Sequence, residues 1–394
     1  MLLTAPAVLT AQPASEALVP GFVVIEGGTI TEVGQGVPYR PADVALPDGI
    51  LAPGFVDLQV NGYYGVEFQH ADAASWRSVA RRLPETGTTA FLPTMITAPV
   101  DELAAGLRAA AAFVPDLTDG ARVLGVHVEG PFIATARRGA HNPAWITPPT
   151  PAAIATLLAA GDGLLRLVTL APELPGGLAA VEQLARAGVL VSIGHSDAVA
   201  SQVAEAATAG ARKVTHLFNA QRPLGHREPG VVGQALTDPR LSSGLIADLH
   251  HVTAPACEIA FAAAPGRIVL VTDAAACAGM PPGEYLLGGE PITLPAGDGA
   301  PPVRADGTIA GSALRMDRAV ANAVSLGVPL PAAVAAATRL PADLIGSPDL
   351  GRLAPGAAAD MVWLSPQLSA RAAWVGGRLA YSDGAEAGLA PVVA

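Results

Sequence analysis

The chain has 394 residues, 51% hydrophobic and 14% charged, which is enough for one large α/β domain plus something smaller. Its 23 basic and 34 acidic residues leave a net charge of −11, which argues against nucleic acid as a partner and makes any anionic ligand depend on a local cationic spot. Cys257 and Cys277 form neither a CxxC metal pair nor a disulfide framework, and no apolar run is long enough to span a membrane, so a cytoplasmic protein with no membrane partner is expected.

The N-terminal stretch MLLTAPAVLTAQPASEALV is apolar but lacks a basic leader and is broken by prolines, so it reads against a signal peptide. Phe22 to Gly36 predicts a hairpin turning at Gly27-Gly28. Eight β-rich runs follow between residues 54 and 274: GFVDLQVN, TTAFLPTM, RVLGVHVEG, LLRLVTLAPE, VLVSIGHSD, ARKVTHLFN, SSGLIADLHH and RIVLVTDAA. Most show little alternation, as strands covered on both faces do. Helical patterns such as ASWRSVARRLPETG, DELAAGLRAAAAFV, LAAVEQLARAG and DAVASQVAEAATAG lie between them. Strand and helix alternating in this way predict an α/β fold, a (β/α)8 TIM-like barrel. Gly279 to Pro302 is rich in Gly and Pro and reads as a loop or hairpin excursion, and Asn322 to Gly346 as helix. Leu353 to Leu379 again carries short strands with Gly turns. The two ends are expected to form one small β-sandwich, from residues 1–52 and 351–394, beside a catalytic barrel over 53–350.

Four residues near the ends of these runs carry the chemistry: Glu129, His195, His216 and Asp273. Parallel barrels assemble their sites from the carboxyl ends of several strands. One carboxylate and two imidazoles can hold a divalent metal with a position left for water, and a further carboxylate can handle the protons of hydrolysis. The set predicts a metal-dependent hydrolase. Zn²⁺ is the first expectation for the metal, with Fe²⁺, Co²⁺ and Mn²⁺ compatible with N/O ligands. Gln59 and Asn61 share one face of the first run, where many barrel metallohydrolases carry His-x-His for a second metal. Amides are weaker ligands, so these are vestigial second-site positions and one ion is expected. His127 reads as a barrel-interior histidine held by its neighbours, and His70 shows no partner. Lys213 is the sole lysine and no GxxxxGK[ST] loop contains it; it lies near the start of its run rather than the end, which argues against a Schiff-base aldolase and leaves no candidate for a bridging carboxylated lysine.

PGFVDLQVNG, GTTAFLPTMIT, VHVEGPF, GAHNP, SIGHSD, THLFNA, REPGVVG, IADLHH, LVTDA and AGSALRMDRAV follow one another in order. This series resembles the N-acetylglucosamine-6-phosphate deacetylases of the amidohydrolase superfamily, from about Pro53 to Leu314, with weaker likeness in the flanking β segments. The resemblance implies a homodimeric cytoplasmic enzyme that removes acetate from a phosphorylated amino sugar. It puts Glu129, His195 and His216 at the metal, Asp273 at the acid/base position, and His141 where a histidine polarises the acetyl carbonyl. Ala140, His141, Asn219, Ala220, Asp248, His251 and Ile309, Ala310 and Gly311 match substrate contacts. Arg227 matches a phosphate binder supplied across a dimer interface, and its planar fork suits phosphate. Two positions depart from the pattern. Leu249 stands where a glycine permits an unusual backbone angle, and Gln221 replaces a common methionine, a change expected to alter the sugar pocket. Two other readings remain. One is a different amidohydrolase, such as a cyclic amidase or deaminase, and the other is a silent barrel that only binds.

Overall fold

The computed structural model describes residues 1–13, 15–297 and 299–384. Eight parallel strands follow the chain around a ring: β1 (Phe55–Val60), β2 (Thr88–Ile96), β3 (Val126–Glu129), β4 (Leu165–Leu170), β5 (Leu190–Ile193), β6 (Lys213–Val214), β7 (Ser242–Leu245) and β8 (Ile268–Leu270). Each pairs with its successor. The ring closes at its carboxyl end, where Val60 bridges Ala274 and the Asp273 N–H donates to the Gln59 carbonyl at 2.9 Å. The strands form because their apolar runs are covered on both faces; all nine residues of β2 are buried. One predicted run is split. RVLGVHVEG breaks at Gly125, whose φ of +133° is a conformation that side chains avoid. A Cβ there would also lie 2.2 Å from Arg166 Cγ.

Helices cover the outside of the ring. Ala73–Arg82 starts at Asp72, whose carboxylate accepts from Ser75 N–H at 2.8 Å, a cap worth about 1 kcal/mol. This helix buries Trp76, Val79 and Ala80 against the barrel. The helical segment expected over Asn322 to Gly346 begins earlier, at Met316, and is broken into Met316–Ser325, Leu330–Ala337 and Arg339–Leu344. Pro331 and Pro341 each enter within the first turn of a new piece, where the missing N–H costs nothing. The Gly/Pro-rich excursion is a hairpin of Gly283–Leu287 and Glu290–Leu294.

The two ends of the chain build a small β-sandwich. One sheet combines Leu2–Ala5, Gly21–Glu26, Thr29–Gln35 and Val44–Ala45. The other sets Ala7–Val8 and Ile50–Pro53 beside Met361–Leu364, Ala370–Val375 and Arg378–Ser382, in that order. Gly27 and Gly28, at φ +56° and +82°, supply the two positive φ angles of a tight hairpin turn. Val23, Ile25, Leu51, Trp363 and Trp374 fill the space between the sheets. Arg122 joins sandwich to barrel through a two-point contact with buried Asp360, at 2.7 and 3.1 Å. Among the described residues no helix is long and apolar enough to cross a membrane.

Candidate metal centre and active-site cavity

Glu129 is the last residue of β3, whereas His195, His216 and Asp273 lie two or three residues beyond β5, β6 and β8. All three of these later residues adopt positive φ, at +49°, +26° and +51°. Each such angle costs roughly 1–2 kcal/mol for a side-chain-bearing residue. That strain turns the side chains over the barrel mouth, where outliers of this kind serve function.

The three expected ligands converge. His216 Nε2 stands 3.1 Å from Glu129 Oε1 and 3.1 Å from His195 Nε2, and His195 Nε2 is 3.4 Å from Glu129 Oε1. His195 Nδ1 donates to the Arg137 carbonyl at 2.8 Å, which leaves a lone pair on Nε2. Electron-pair donors packed this closely suit a cation, since metal–ligand bonds of about 2.0–2.2 Å in a tetrahedron separate the donors by roughly 3.3–3.6 Å. The donor set therefore fits one divalent ion. His141 adjoins it, with ligand atoms of Glu129, His141 and His195 within 4.8 Å of one another. His141 Nδ1 is committed to Thr97 Oγ1 at 2.6 Å, and its ring packs 4.3 Å from that of His195. The closer triangle through His216 is the better ligand set, and His141 faces it from the side.

Electrostatics follow from burial. Desolvation raises the Glu129 pKa, but its hydrogen bonds with His195 and His216 and their charge outweigh this and hold it well below the usual carboxylate range. Burial, then the charge of Glu129, pushes Asp273 up. Burial drives His141 down to about 3, so its ring is neutral.

Gln59 and Asn61 point amide nitrogen at the carboxylates. Gln59 Nε2 is 3.1 Å from both Glu129 oxygens and from Asp273 Oδ1, and Asn61 Nδ2 is 2.7 Å from Asp273 Oδ1. N–H donors therefore occupy the side where a second cation would sit. His127 is held as expected, by Thr94 at 3.1 Å and Thr169 at 2.8 Å. His70 does have a partner, Glu102 at 3.9 Å on the surface.

Above this centre opens a cavity of about 380 Å³. Asn61, Ala140, His141, Asn219, Ala220, His251, Ile309 and Gly311 line it, together with the metal-centre residues. Four expectations change in detail. Asp248 does not face the cavity: its carboxylate accepts from His251 Nδ1 at 2.6 Å and from the N–H groups of His250 and His251. It orients His251 instead. Ala310 is buried in a small apolar cluster behind the wall, between the lining residues Ile309 and Gly311. Gln221 is also outside the cavity, its amide turned back onto its own loop. Arg227 lies exposed on the Gly225–Pro229 loop and does not line the cavity of its own chain. Leu249, in contrast, stands at an unusual backbone angle as expected, with φ +66°.

Several residues were invisible to sequence reasoning. Arg137 lines the cavity, orients His195 through its carbonyl, and pairs with Asp197 at 2.8 Å. The Arg137-Arg138 pair before GAHNP was the available signal. Thr97 offered none. Glu290 and Arg304 clasp the His141 loop: Asn142 donates to Glu290 at 3.0 Å, while Arg304 pairs with Glu290 at 3.4 Å and donates to the Ala140 carbonyl.

A carboxylate and imidazoles gathered at the strand ends of a parallel barrel define an amidohydrolase-type site, and the model of the Amidohydrolase family matches residues 50–380. An N-acetylglucosamine-6-phosphate deacetylase of Vibrio furnissii is 37% identical over 362 residues, covering 91% of this chain and 90% of that protein. An N-acetylgalactosamine-6-phosphate deacetylase of Escherichia coli O157:H7 is 39% identical, covering 86% of this chain and 90% of that protein. A solved mutant of N-acetyl-D-glucosamine-6-phosphate deacetylase from Mycobacterium smegmatis, in complex with N-acetyl-D-glucosamine-6-phosphate, superposes with a TM-score of 0.90 at 36% identity. It covers 97% of this chain and 99% of its own. The chain belongs to the amidohydrolase family, among its N-acetylglucosamine-6-phosphate deacetylases.

Proposed function

We propose that the chain hydrolyses the acetamide of N-acetyl-D-glucosamine 6-phosphate, releasing D-glucosamine 6-phosphate and acetate. The observation that carries this reading is the 3.1–3.4 Å triangle of Glu129, His195 and His216 donors, with the Asp273 carboxylate tethered beside it. These three residues would hold one divalent ion, Zn²⁺ first and Fe²⁺, Co²⁺ or Mn²⁺ next. When bound, such an ion supplies Lewis-acid polarisation of the amide carbonyl and brings the pKa of water to about 7. The amide N–H groups of Gln59 and Asn61 at the carboxylates favour one ion over two.

Asp273 handles the proton. Gln59 and Asn61 engage Oδ1, leaving Oδ2 to take a proton from the attacking water and pass it to the amine nitrogen, a poor leaving group until protonated. His141, neutral and anchored on Thr97, faces the acetyl carbonyl. Ala140, Asn219, Ala220, Ile309 and Gly311 form the sugar wall, and Asp248 aims His251 towards the phosphate. Arg227 completes the phosphate site from the partner subunit of a homodimer. Its exposure next to Leu224, which is 56% exposed, suits a loop that another copy covers. A cytoplasmic location, and a division into a barrel over 53–350 with the sandwich from 1–52 and 351–394, of which 385–394 lie outside the described residues, complete the proposal.

The test is acetate release from paired phosphorylated and unphosphorylated sugars, before and after chelation. Release from the phosphorylated sugar should dominate, stop on chelation and return with added Zn²⁺. No release, or release indifferent to chelation, contradicts the reading. Arg227→Ala should raise KM for the phosphorylated sugar roughly 10- to 100-fold, the value of a hydrogen bond to a charged group, and leave the free sugar nearly unaffected. An equal effect on both substrates would remove the phosphate role.

A further inference from the structure

Between Thr215 and Gln221 the chain delivers His216, Asn219 and Ala220 to the cavity. The path is strained, since His216, Phe218 and Ala220 take φ of +26°, +77° and +50° with no glycine among them. Such a loop keeps its shape only if its surroundings over-determine it. Leu217 N–H reaches the Gly244 carbonyl at 2.7 Å, and Asn219 N–H the His216 carbonyl at 3.0 Å. The Asn219 side chain donates to the His216 and Leu217 carbonyls, each at 3.3 Å.

Gln221 supplies the cross-brace. Its Nε2 donates to the Thr215 carbonyl at 2.6 Å, and its Oε1 accepts from Phe218 N–H at 3.2 Å. One amide thus spans the segment that contains His216, bonding the residue just before it and the second residue after it. The amide cannot be flipped, because one partner is an acceptor and the other a donor. Gln221 is only 3% exposed, so water cannot replace either bond. Behind it, Ser196 N–H donates to the Ala220 carbonyl and Arg222 N–H to the Ser196 carbonyl, at 3.2 and 3.0 Å. These bonds tie the loop to the segment that follows His195.

We propose that Gln221 is a positioning residue for the metal ligand His216 and the sugar-wall residue Asn219, bracing their strained loop with both ends of its amide. The inference rests on the metal reading of Glu129, His195 and His216. A methionine here has the length but neither hydrogen-bonding end, and it would leave the Thr215 carbonyl and the Phe218 N–H unmatched in a buried place.

The test uses the full-length protein, Gln221→Met, and the isosteric Gln221→Glu. The glutamate keeps an acceptor for Phe218 and sets a second acceptor against the Thr215 carbonyl. Zn²⁺ affinity is measured by competition with a chromophoric chelator, and the visible spectrum of the Co²⁺ form reports ligand geometry. Both variants should bind Zn²⁺ about tenfold or more weakly, the usual effect of losing support behind a ligand. Their Co²⁺ spectra should differ from wild type, KM for the sugar phosphate should rise, and excess Zn²⁺ should restore kcat more fully than KM. If Gln221 serves folding alone, the variants will melt earlier but keep wild-type affinity and spectrum in the folded fraction, and that result overturns the inference. Wild-type protein that takes up neither ion overturns the metal reading as well, so the two failures are distinguishable.

Discussion

Asp273→Asn is expected to keep its metal and lose between about 10² and 10⁴ in turnover, the range that positioned acid–base groups contribute. The substitution is nearly isosteric, and Asn61 and Gln59 can still approach Oδ1 as donors. Glu129, His195 and His216 are untouched, so bound metal should remain stoichiometric. An amide cannot take a proton from water and return it to the amine. KM for the sugar phosphate should move little, because Asp273 acts at the amide and is not among the residues assigned to the phosphate, His251 and Arg227. Elemental analysis with steady-state kinetics decides the matter. Wild-type turnover in this variant would refute the proton role, and loss of metal would make Asp273 a ligand instead.

Glu129→Gln should have the opposite signature: loss of metal, with turnover falling to that of the chelated wild type. Glu129 is the anionic member of the triangle, and its Oε1 is the atom both imidazoles share. The variant replaces a carboxylate with an amide next to the Gln59 N–H, which is 3.1 Å from both Glu129 oxygens. Two amide groups that pair donor against donor, or re-pair with each other, no longer offer an anion to a cation. The two imidazoles alone then form an incomplete site. Substoichiometric Zn²⁺ after dialysis is the expected outcome, and full occupancy would show that the carboxylate is dispensable.

Much of this arrangement was legible in the sequence, and the physical reason is local. A strand covered on both faces must be a continuous apolar run, so eight such runs separated by helical patterns revealed the barrel. Polar residues closing those runs had few structural reasons to be there, so Glu129, His195, His216 and Asp273 stood out. The Gly27-Gly28 hairpin was equally plain, since two positive φ angles need residues without a Cβ.

What escaped notice depends on contacts between segments far apart in the chain. Glu290 belongs to an excursion whose composition said only loop or hairpin, and Arg304 follows just after it, yet they hold the chain on either side of His141. Thr97 could not be told from any other threonine at a strand end until His141 was seen 2.6 Å away. Gln221 departs from the resembling series and is expected to alter the sugar pocket. Side-chain direction after a left-handed residue does not follow from spacing, and the structure turns its amide inward. Asp248 moves one step, from touching ligand to orienting His251, because its carboxylate folds back onto the N–H groups of the turn that follows it.

The central claim is that a single cation joins Glu129, His195 and His216. Anomalous diffraction at the absorption edge of the bound metal, on crystals of the wild-type protein, tests it most directly. One peak within about 2.0–2.2 Å of all three donor atoms is the expected result. A peak bonded elsewhere, or a second one of equal strength beside Gln59 and Asn61, would contradict it.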